Sequence, residues 1–295
     1  MRVFSENLGF PKRTRFWLKR LSLLTTVGLL GGFFTAPITK AAPAPYVNAK
    51  AAVVYDATSG RTLYEKNADT PLYPASTTKL MTAILLVEHT KPDDVIYVST
   101  RAARQAKVRL GLRPGTELPA DAALRALLMK SANDVAYAVA ESIGGSQQGF
   151  SRMMNLEAGL IGCRNTNFVT PNGLHDNEHA SSARDVALIL SAALKYPRIV
   201  SAMQTKEFRV AGKQIRNTNR LMYLSQRDSG FGEVIGGKTG YTSKAMYCLA
   251  FAAKQHGHVR VSVVLGAPRK SFMYRETRRL LTWAYKEDPV ADGTD

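Results

Sequence analysis

At residues 74–88 the chain is PASTTKLMTAILLVE, in which a short polar turn runs directly into an apolar segment. The apolar run predicts a largely buried helix. In a helix, Ser76 and Lys79 lie three residues apart on one face, so the Lys79 amine can reach the Ser76 hydroxyl. Because a serine needs such a base to act as a nucleophile, the stretch points to a catalytic serine. A Ser-x-x-Lys pair also arises by chance, so the rest of the chain has to support this interpretation.

The first residues have the charge order of an export signal. Residues 12–20 carry five positive charges, and the apolar residues 21–34 that follow carry none. Small residues come next, and we predict a signal peptide (1–41) cleaved after Ala41 and export to the periplasm or another extracytoplasmic wall space. An uncleaved anchor is the alternative, since residues 36–38 lengthen the apolar run towards the roughly 18–20 residues that span a bilayer. One domain (42–287) and a short tail (288–295) are expected to follow.

The chain is basic, with 40 Lys and Arg against 23 Asp and Glu, a net charge of +17. Removing residues 1–41 leaves 33 basic and 22 acidic residues, a net charge of +11. These charges are scattered rather than packed into runs beside aromatic residues, which argues against nucleic acid as a partner. Peripheral contact with an anionic membrane or wall polymer fits better. Cys163 and Cys248 are far apart in the sequence, and we expect two separate thiols, although export would permit a bridge.

The order of predicted elements indicates the fold class. Residues 51–56 and 61–66 have strand patterns around a turn that contains Gly60, which predicts an antiparallel hairpin. A second hairpin is expected at 247–253 and 259–265. Helical spacing predicts helices over 121–143, 150–161, 183–194 and 275–285, the third opened by a capping box from Ser182 to Asp185. Strands at both ends with helices between them predict one α+β domain whose sheet joins the two ends of the chain.

Two further polar motifs interrupt apolar sequence. Ser131 and Asn133 stand within a helical pattern, and buried Ser and Asn side chains need hydrogen-bond partners. Lys238-Thr239-Gly240 precedes the second hairpin. On an edge strand, Lys238 would add a positive charge, Thr239 a hydroxyl for a carboxylate, and Gly240 room for a substrate backbone. Taken singly, each motif is equally typical of a helix interruption or a Gly-rich loop.

Ser-x-x-Lys, Ser-x-Asn and Lys-Thr-Gly in this order form the known motif set of penicillin-binding proteins and class A β-lactamases. Over about residues 46–287 the sequence closely resembles the serine D-alanyl-D-alanine carboxypeptidases, the low-molecular-mass penicillin-binding proteins. Asn172-Gly173-Leu174 and Ser182-Ala183-Arg184-Asp185 add to the resemblance. It implies a β-lactamase-like fold, in which helices flank an antiparallel sheet, a helical lobe adjoins it, and the site lies between them.

The resemblance also assigns roles to the motif residues. It makes Ser76 the acylated nucleophile and Lys79 its proton acceptor, and it gives proton relay and substrate orientation to Ser131, Asn133 and Lys238. The backbone N–H groups of Ser76 and Tyr241 would form the oxyanion hole. Two amines near one hydroxyl disfavour each other's charge, so one lysine can be a neutral base near pH 7.

Substrate contacts are expected from Thr239, Gly240, Tyr241 and an arginine just beyond the last strand that binds the terminal carboxylate. Arg275 is our prediction for this arginine, with Arg269 as the alternative. Thr218 stands where members of the family have another basic residue. The implied substrates are peptidoglycan stem peptides ending in D-Ala-D-Ala, with β-lactam antibiotics as covalent inhibitors and no metal or cofactor. The short tail leaves no room for the extra β-domain and amphipathic anchor of many members, so a soluble or peripheral enzyme is expected.

Other functions compatible with the motifs remain open. A class A β-lactamase needs a glutamate that activates water, and Glu178 is the only glutamate in the relevant loop, although its neighbours do not match. His175 and His179 suggest a metal site but lack the zinc-protease order. A penicillin-binding sensor that acylates and stops is a further alternative. Removing a terminal D-Ala and cutting a cross-link use the same chemistry, so the sequence leaves carboxypeptidase and DD-endopeptidase activity undecided.

Overall fold

The computed structural model describes residues 43–287, so the predicted signal peptide, its cleavage site and the tail lie outside the described residues. The strands are β1 (Ala51–Asp56), β2 (Arg61–Lys66), β3 (Val95–Tyr97), β4 (Glu117–Pro119), β5 (Glu207–Val210), β6 (Lys213–Arg216), β7 (Glu233–Thr242), β8 (Met246–Gln255) and β9 (His258–Ala267). The helices are α1 (Lys79–His89), α2 (Thr100–Ala103), α3 (Ala120–Arg125), α4 (Asn133–Gly144), α5 (Gln147–Ile161), α6 (Ala183–Ala193), α7 (Pro197–Gln204), α8 (Gln226–Ser229) and α9 (Lys270–Glu287). Single turns of other helix types lie at Ala75–Thr78, Ala126–Lys130 and Arg220–Tyr223.

The central sheet has five antiparallel strands in the order β2-β1-β9-β8-β7. β1 lies beside β9, with Val53 opposite Val263, so the sheet joins the two ends of the domain as the sequence predicts. Both predicted hairpins are present, and the second one is longer at each end than predicted. β7, which carries Lys238, pairs only with β8 in this sheet and forms its edge. The α+β prediction is confirmed.

Alternating side chains give the sheet two buried faces. Val53, Val261 and Val263 belong to the larger apolar core, which also contains the buried side of α1. Phe251 and Val264 face the other way and pack in a second core with α9. The sheet is therefore the middle of three layers, and the edge strand β7 meets the start of α1 where the helical lobe begins.

The prediction of a single helix over residues 121–143 is wrong. α3 ends at Arg125, a π-type turn follows, and Ser131 adopts a left-handed conformation with φ 64° before α4 begins. After the break, the Asp134 carboxylate in the first turn of α4 accepts hydrogen bonds from the Leu110 and Gly111 N–H groups at 3.0 and 2.8 Å. The break places Ser131 at the surface of a cleft.

The predicted capping box at the start of α6 is correct in one half only. The Ser182 hydroxyl accepts from the Asp185 N–H at 3.0 Å, as an N-cap should. The Asp185 carboxylate does not return this bond and instead accepts from the Asn165 N–H and the Thr166 hydroxyl, each at 2.7 Å. It therefore ties the 164–166 segment to the helix start.

Cys163 and Cys248 are unpaired, which confirms the expectation of separate thiols. Among the described helices, none by itself has the length and apolar character needed to cross a membrane. The pair α6 and α7, bent by 105° at their junction, meets that test on length and composition alone.

Candidate active site

Ser76 lies in the helical turn Ala75–Thr78 that leads into α1, at the place where β7 approaches the helix. Ala75, directly before it, has φ 49°, a left-handed conformation that costs free energy for a residue with a side chain. This sharp entry presents the Ser76 hydroxyl to the cleft. Lys79 follows one turn later, and its Nζ lies 2.9 Å from Ser76 Oγ. The structure thus brings the two residues together as the spacing predicts.

The Lys79 amine has three oxygen neighbours and no exposure to solvent. Besides Ser76, it lies 2.8 Å from Asn133 Oδ1 and 2.6 Å from the backbone carbonyl of Asn172. Burial, reinforced by the positive charge of Lys238, holds the pKa of Lys79 well below its ordinary value, and Asp134 partly offsets this. As an ammonium, Lys79 donates to all three oxygens. In its neutral form, two N–H groups can stay on the two carbonyl oxygens while the lone pair accepts the Ser76 proton.

The orientation of Asn133 is determined by its second contact. Its Nδ2 donates to the Ala106 carbonyl at 3.0 Å, and a carbonyl can only accept. Oδ1 must therefore be the atom that faces Lys79. Asn133 begins α4 immediately after the left-handed Ser131, so one backbone break positions both residues of the second motif.

Lys238 is the second buried amine of the site. It lies on β7, is fully buried, and donates to the Thr239 carbonyl at 2.7 Å. Burial lowers the pKa of Lys238 to about 7, so this amine exchanges its proton near neutral pH. Lys238 lies close enough for its charge to act on Lys79, the amine beside the Ser76 hydroxyl. Two buried amines with lowered pKa values in one site can take up and pass on a proton.

Gly240 is needed for a reason that the sequence did not reveal. A Cβ built at this position would lie 2.9 Å from the Ser76 backbone nitrogen and 3.1 Å from the Pro74 carbonyl oxygen. The sequence predicted room for a substrate backbone here. The structure shows in addition that the turn Ala75–Thr78, which carries Ser76 and is called the nucleophile turn below after its proposed role, packs against Gly240. This contact keeps Ser76 and the neighbouring Tyr241 backbone side by side, which is the arrangement an oxyanion hole requires.

The cleft in front of Ser76 has a volume of about 430 Å³. Its lining includes the predicted residues Ser76, Ser131, Thr239, Gly240 and Tyr241. Lys270 and Tyr274 from α9 and Thr218 from the segment after β6 also line it. None of the described residues that line the cleft is an aspartate or glutamate, and Glu178 is exposed elsewhere.

Arg275 is not brought to this cleft. Its guanidinium stacks on the Phe272 ring at 4.2 Å and lines a separate cavity on the outer face of α9. Arg269 also lies over Phe272, at 5.9 Å, and does not line the cleft. Among the described residues beyond the last strand, the cation that does line the cleft is Lys270, which was not predicted from the sequence. The reason is that α9 begins at Lys270, five residues earlier than predicted, and the helix turns Arg275 outward.

Asn172 and His179 are further functional candidates, and both lie in one loop. Asn172 contacts Lys79, 93 residues away in the sequence, and His179 contacts Thr78, 101 residues away. Gly173, with φ 76°, packs so tightly that a Cβ there would lie 1.9 Å from the Ala75 carbonyl oxygen. The Asn172-Gly173 motif was a sequence signal for this loop. No sequence signal indicated the structural role of His179.

The His179 ring is held on both sides. Its Nδ1 accepts from the Val169 N–H at 2.9 Å, so Nε2 carries the hydrogen and donates to the Thr78 hydroxyl at 2.9 Å. Burial lowers the pKa of His179 to about 4. Both nitrogens are occupied, and within residues 43–287 no group of three metal-binding side chains occurs. The ring therefore fastens the loop to the nucleophile turn.

Known proteins are similar to this chain in sequence and in fold. The pattern of the S11 peptidase family, D-alanyl-D-alanine carboxypeptidase, matches residues 38–269. The D-alanyl-D-alanine carboxypeptidase DacF of Bacillus subtilis is 34% identical over 249 residues, which cover 81% of this chain and 62% of DacF. A D-alanyl-D-alanine endopeptidase of Pseudomonas aeruginosa is 29% identical over 280 residues, which cover 90% of this chain and 88% of that protein.

Solved structures of related proteins have the same fold as this chain. The crystal structure of the D-alanyl-D-alanine carboxypeptidase DacD from Francisella tularensis has a TM-score of 0.76 at 27% identity, covering 83% of this chain and 72% of that one. The chain spans 62–66% of the length of three curated carboxypeptidases that it matches. The match to the family over most of the chain and the shared fold confirm the resemblance, and the chain belongs to the S11 family of D-alanyl-D-alanine carboxypeptidases.

Proposed function

We propose that the chain is a serine DD-peptidase that cleaves the D-Ala-D-Ala bond of peptidoglycan stem peptides through an acyl-enzyme on Ser76. The observation that carries this proposal is the buried Lys79 amine, which lies 2.9 Å from Ser76 Oγ while two carbonyl oxygens take its hydrogens. A buried base with a lowered pKa next to a hydroxyl is what a serine nucleophile requires. Membership of the S11 family supports the same reaction.

In the first step, Ser76 Oγ attacks the carbonyl carbon of the penultimate D-Ala and its proton moves to Lys79 Nζ. The N–H groups of Ser76 and Tyr241 stabilise the negative oxygen of the tetrahedral intermediate. The C–N bond then breaks, and the leaving nitrogen takes a proton through Ser131 and Lys238. The second step repeats this chemistry with water as the nucleophile and frees Ser76.

The carboxylate of the leaving D-Ala needs a cation and a hydroxyl. Thr239 and Lys270 both line the cleft, and we assign the carboxylate to them instead of Arg275. A lysine gives a point charge rather than the two parallel hydrogen bonds of an arginine. The geometry favours neither a carboxypeptidase nor an endopeptidase by this subsite alone, and relatives of both names match the chain.

A class A β-lactamase is less well supported, because the cleft lining contains no described carboxylate to activate water for a tethered acyl group. A sensor that acylates and stops is also less well supported, because Lys79, Asn133 and Lys238 are all present and buried. The predicted export signal would deliver the enzyme to the wall, where its net positive charge favours peripheral contact with anionic wall or membrane surfaces.

Digestion of a purified pentapeptide muropeptide tests the proposal. The mature protein should release free D-Ala, and Ser76→Ala should release none while keeping its circular dichroism spectrum. Ser59→Ala, at an exposed turn between β1 and β2, is the matched control and should retain full activity. Release of D-Ala by Ser76→Ala at the wild-type rate would overturn the assignment of the nucleophile.

A further inference from the structure

A second and larger cavity lies on the outer face of α9, next to the turn Arg220–Tyr223. Its volume is about 730 Å³, compared with about 430 Å³ for the cleft. Four arginines line it, namely Arg220, Arg275, Arg278 and Arg279, and all four are exposed. We call this cavity the arginine groove. The catalytic steps described above use none of these arginines.

The positive charge of the arginine groove is not neutralised within the described part of the chain. The lining contains no aspartate or glutamate, and none of the four arginines forms an ion pair with a described carboxylate. Arg278 donates to the backbone carbonyl of Asp228, while the carboxylate of that residue accepts from Ser225. Guanidinium groups gathered without counter-charges attract anions, and each can bind a carboxylate with two parallel hydrogen bonds.

The spacing along α9 explains how the arginines come together. Arg275, Arg278 and Arg279 are three and four residues apart and therefore share one face of the helix. The opposite face, with Leu280 and Leu281, is buried against the sheet. The helix cannot rotate without exposing this core, so the arginines are held outward. Trp283 adds an aromatic surface at the far end of the groove.

The arginine groove begins where the catalytic cleft ends. Tyr274 lines both cavities, and its hydroxyl donates to the Thr218 carbonyl on the cleft side at 3.3 Å. The same hydroxyl accepts from the Arg220 N–H on the groove side at 3.2 Å. Lys270, the proposed carboxylate ligand, lies in the cleft, and Ser271 beside it lines the groove. A ligand that leaves the cleft past Lys270 would therefore enter the arginine groove.

We propose that the arginine groove binds the leaving strand of a cross-linked stem peptide, a role that rests on the proposed DD-peptidase function. A terminal D-Ala has one carboxylate, which Lys270 and Thr239 can satisfy. In a cross-link the leaving group is a whole second stem, which carries further free carboxylates. The groove offers four cations for them. From Lys270 to Trp283 the helix rises about 20 Å, enough for an extended segment of about six residues.

The chemistry at Ser76 is unchanged by this substrate. The bond that breaks joins the D-Ala carbonyl carbon to the side-chain nitrogen of the second stem, and that nitrogen leaves with a proton. The groove would therefore raise the efficiency of cross-link cleavage specifically and give the chain DD-endopeptidase activity. It would have little effect on release of a terminal D-Ala.

The test compares a cross-linked tetrapeptide dimer with a monomeric pentapeptide muropeptide, using the double variant Arg278→Gln/Arg279→Gln. We expect kcat/KM for the dimer to fall about ten-fold or more, and that for the monomer to change by less than about two-fold. Acylation by penicillin should stay at the wild-type rate. The charge-matched control Arg152→Gln/Arg209→Gln removes two exposed arginines from α5 and β5 and should cleave both substrates normally.

Equal losses on both substrates, or none, would overturn the proposal. A double variant that cleaves the dimer normally but no longer binds phosphatidylglycerol vesicles would overturn it in favour of membrane docking. If the wild type is acylated by penicillin but cleaves the monomer alone, the groove assignment fails and the peptidase stands. If the wild type cleaves neither substrate, the peptidase itself is wrong, and the groove assignment falls with it.

Discussion

At the scale of single residues, we expect the charge on Lys238 to influence the proposed base, Lys79. That charge is the second cause, after burial, of the lowered pKa of Lys79. Lys79 must be neutral to take the Ser76 proton, so acylation declines as the pH falls through its pKa. Lys238→Gln removes the charge and raises the pKa of Lys79, which should move the acid limb of the acylation profile to higher pH and lower the maximum rate.

The measurement is the second-order rate of acylation by a fluorescent penicillin between about pH 5 and 10. Lys238→Arg keeps the positive charge and should hold the acid limb near its wild-type position, even if the relay is slower. An acid limb that stays in place in Lys238→Gln would show that Lys238 does not influence the base.

Substitutions of Lys270 and Arg275 should affect different substrates. Lys270→Gln should weaken the binding of both monomeric and cross-linked substrates. Because a charge-assisted contact is lost, KM should rise about ten-fold for each. Arg275→Gln should leave KM for the monomer unchanged and weaken only the binding of the dimer. Steady-state kinetics on the two muropeptides separates them. If Arg275→Gln instead impairs the monomer while Lys270→Gln does not, the sequence-based assignment of Arg275 was right and ours is wrong.

The sequence predicted Ser76, Lys79 and Asn133 because short motifs specify local geometry that a helix turn then enforces. The structure does not place Arg275 at the cleft, because the direction of that side chain depends on where α9 starts, and α9 starts at Lys270, earlier than the apolar pattern predicts. The structural role of His179 could not be predicted from the sequence for another reason. Its partner Thr78 is 101 residues away, and no local pattern encodes such a contact.

At the scale of elements, β7 and the nucleophile turn can pack closely because Gly240 has no side chain. Gly240→Ala would place a methyl group 2.9 Å from the Ser76 nitrogen, so the strand and the turn must separate. We expect acylation to fall about ten-fold or more, because donors of an oxyanion hole lose alignment with small shifts. The measurement is the rate of penicillin acylation, together with the melting temperature.

Gly159→Ala provides the matched control. Gly159 lies within α5, and a Cβ there would meet nothing within 4 Å. Alanine should stabilise this helix by up to about 1 kcal/mol and leave acylation unchanged. Acylation by Gly240→Ala at the wild-type rate would show that the contact between β7 and the turn does not organise the site.

The loop that carries Asn172 should make stability depend on pH through His179. Burial lowers the pKa of His179 to about 4, below the value of about 6.5 in an unfolded chain. The neutral ring therefore stabilises the fold fully above about pH 6.5, and this contribution is lost as the pH falls towards 4, by roughly 3 kcal/mol in total. Urea unfolding at several pH values measures it.

His179→Gln should be less stable at neutral pH and should show a flatter dependence on pH than the wild type. His89→Gln, an exposed histidine at the end of α1, should keep the wild-type dependence. Equal slopes for the wild type and His179→Gln between pH 7 and 4 would remove His179 from this role.

At the scale of the whole molecule, composition and element order were enough to predict an α+β domain whose sheet joins both ends of the chain. Two short additional sheets, β3 with β4 and β5 with β6, were not predicted, because strands of three or four residues show too little alternation to detect. The break between α3 and α4 was missed because Ser131 and Asn133 stand in an otherwise helical pattern. The residues to which we assign a function interrupt the helical pattern there.

The central claim is that Ser76 forms a covalent acyl-enzyme that this cleft hydrolyses slowly when the leaving group stays attached. Penicillin provides such a tethered group, and no described cleft residue carries a carboxylate to activate water against it. Mass spectrometry after a brief exposure to penicillin should find the intact penicillin mass on the peptide that contains Ser76. This adduct should persist for many turnovers of the peptide substrate and be absent in Ser76→Ala. Rapid hydrolysis of excess penicillin without an adduct, or an adduct on another residue, would contradict the account.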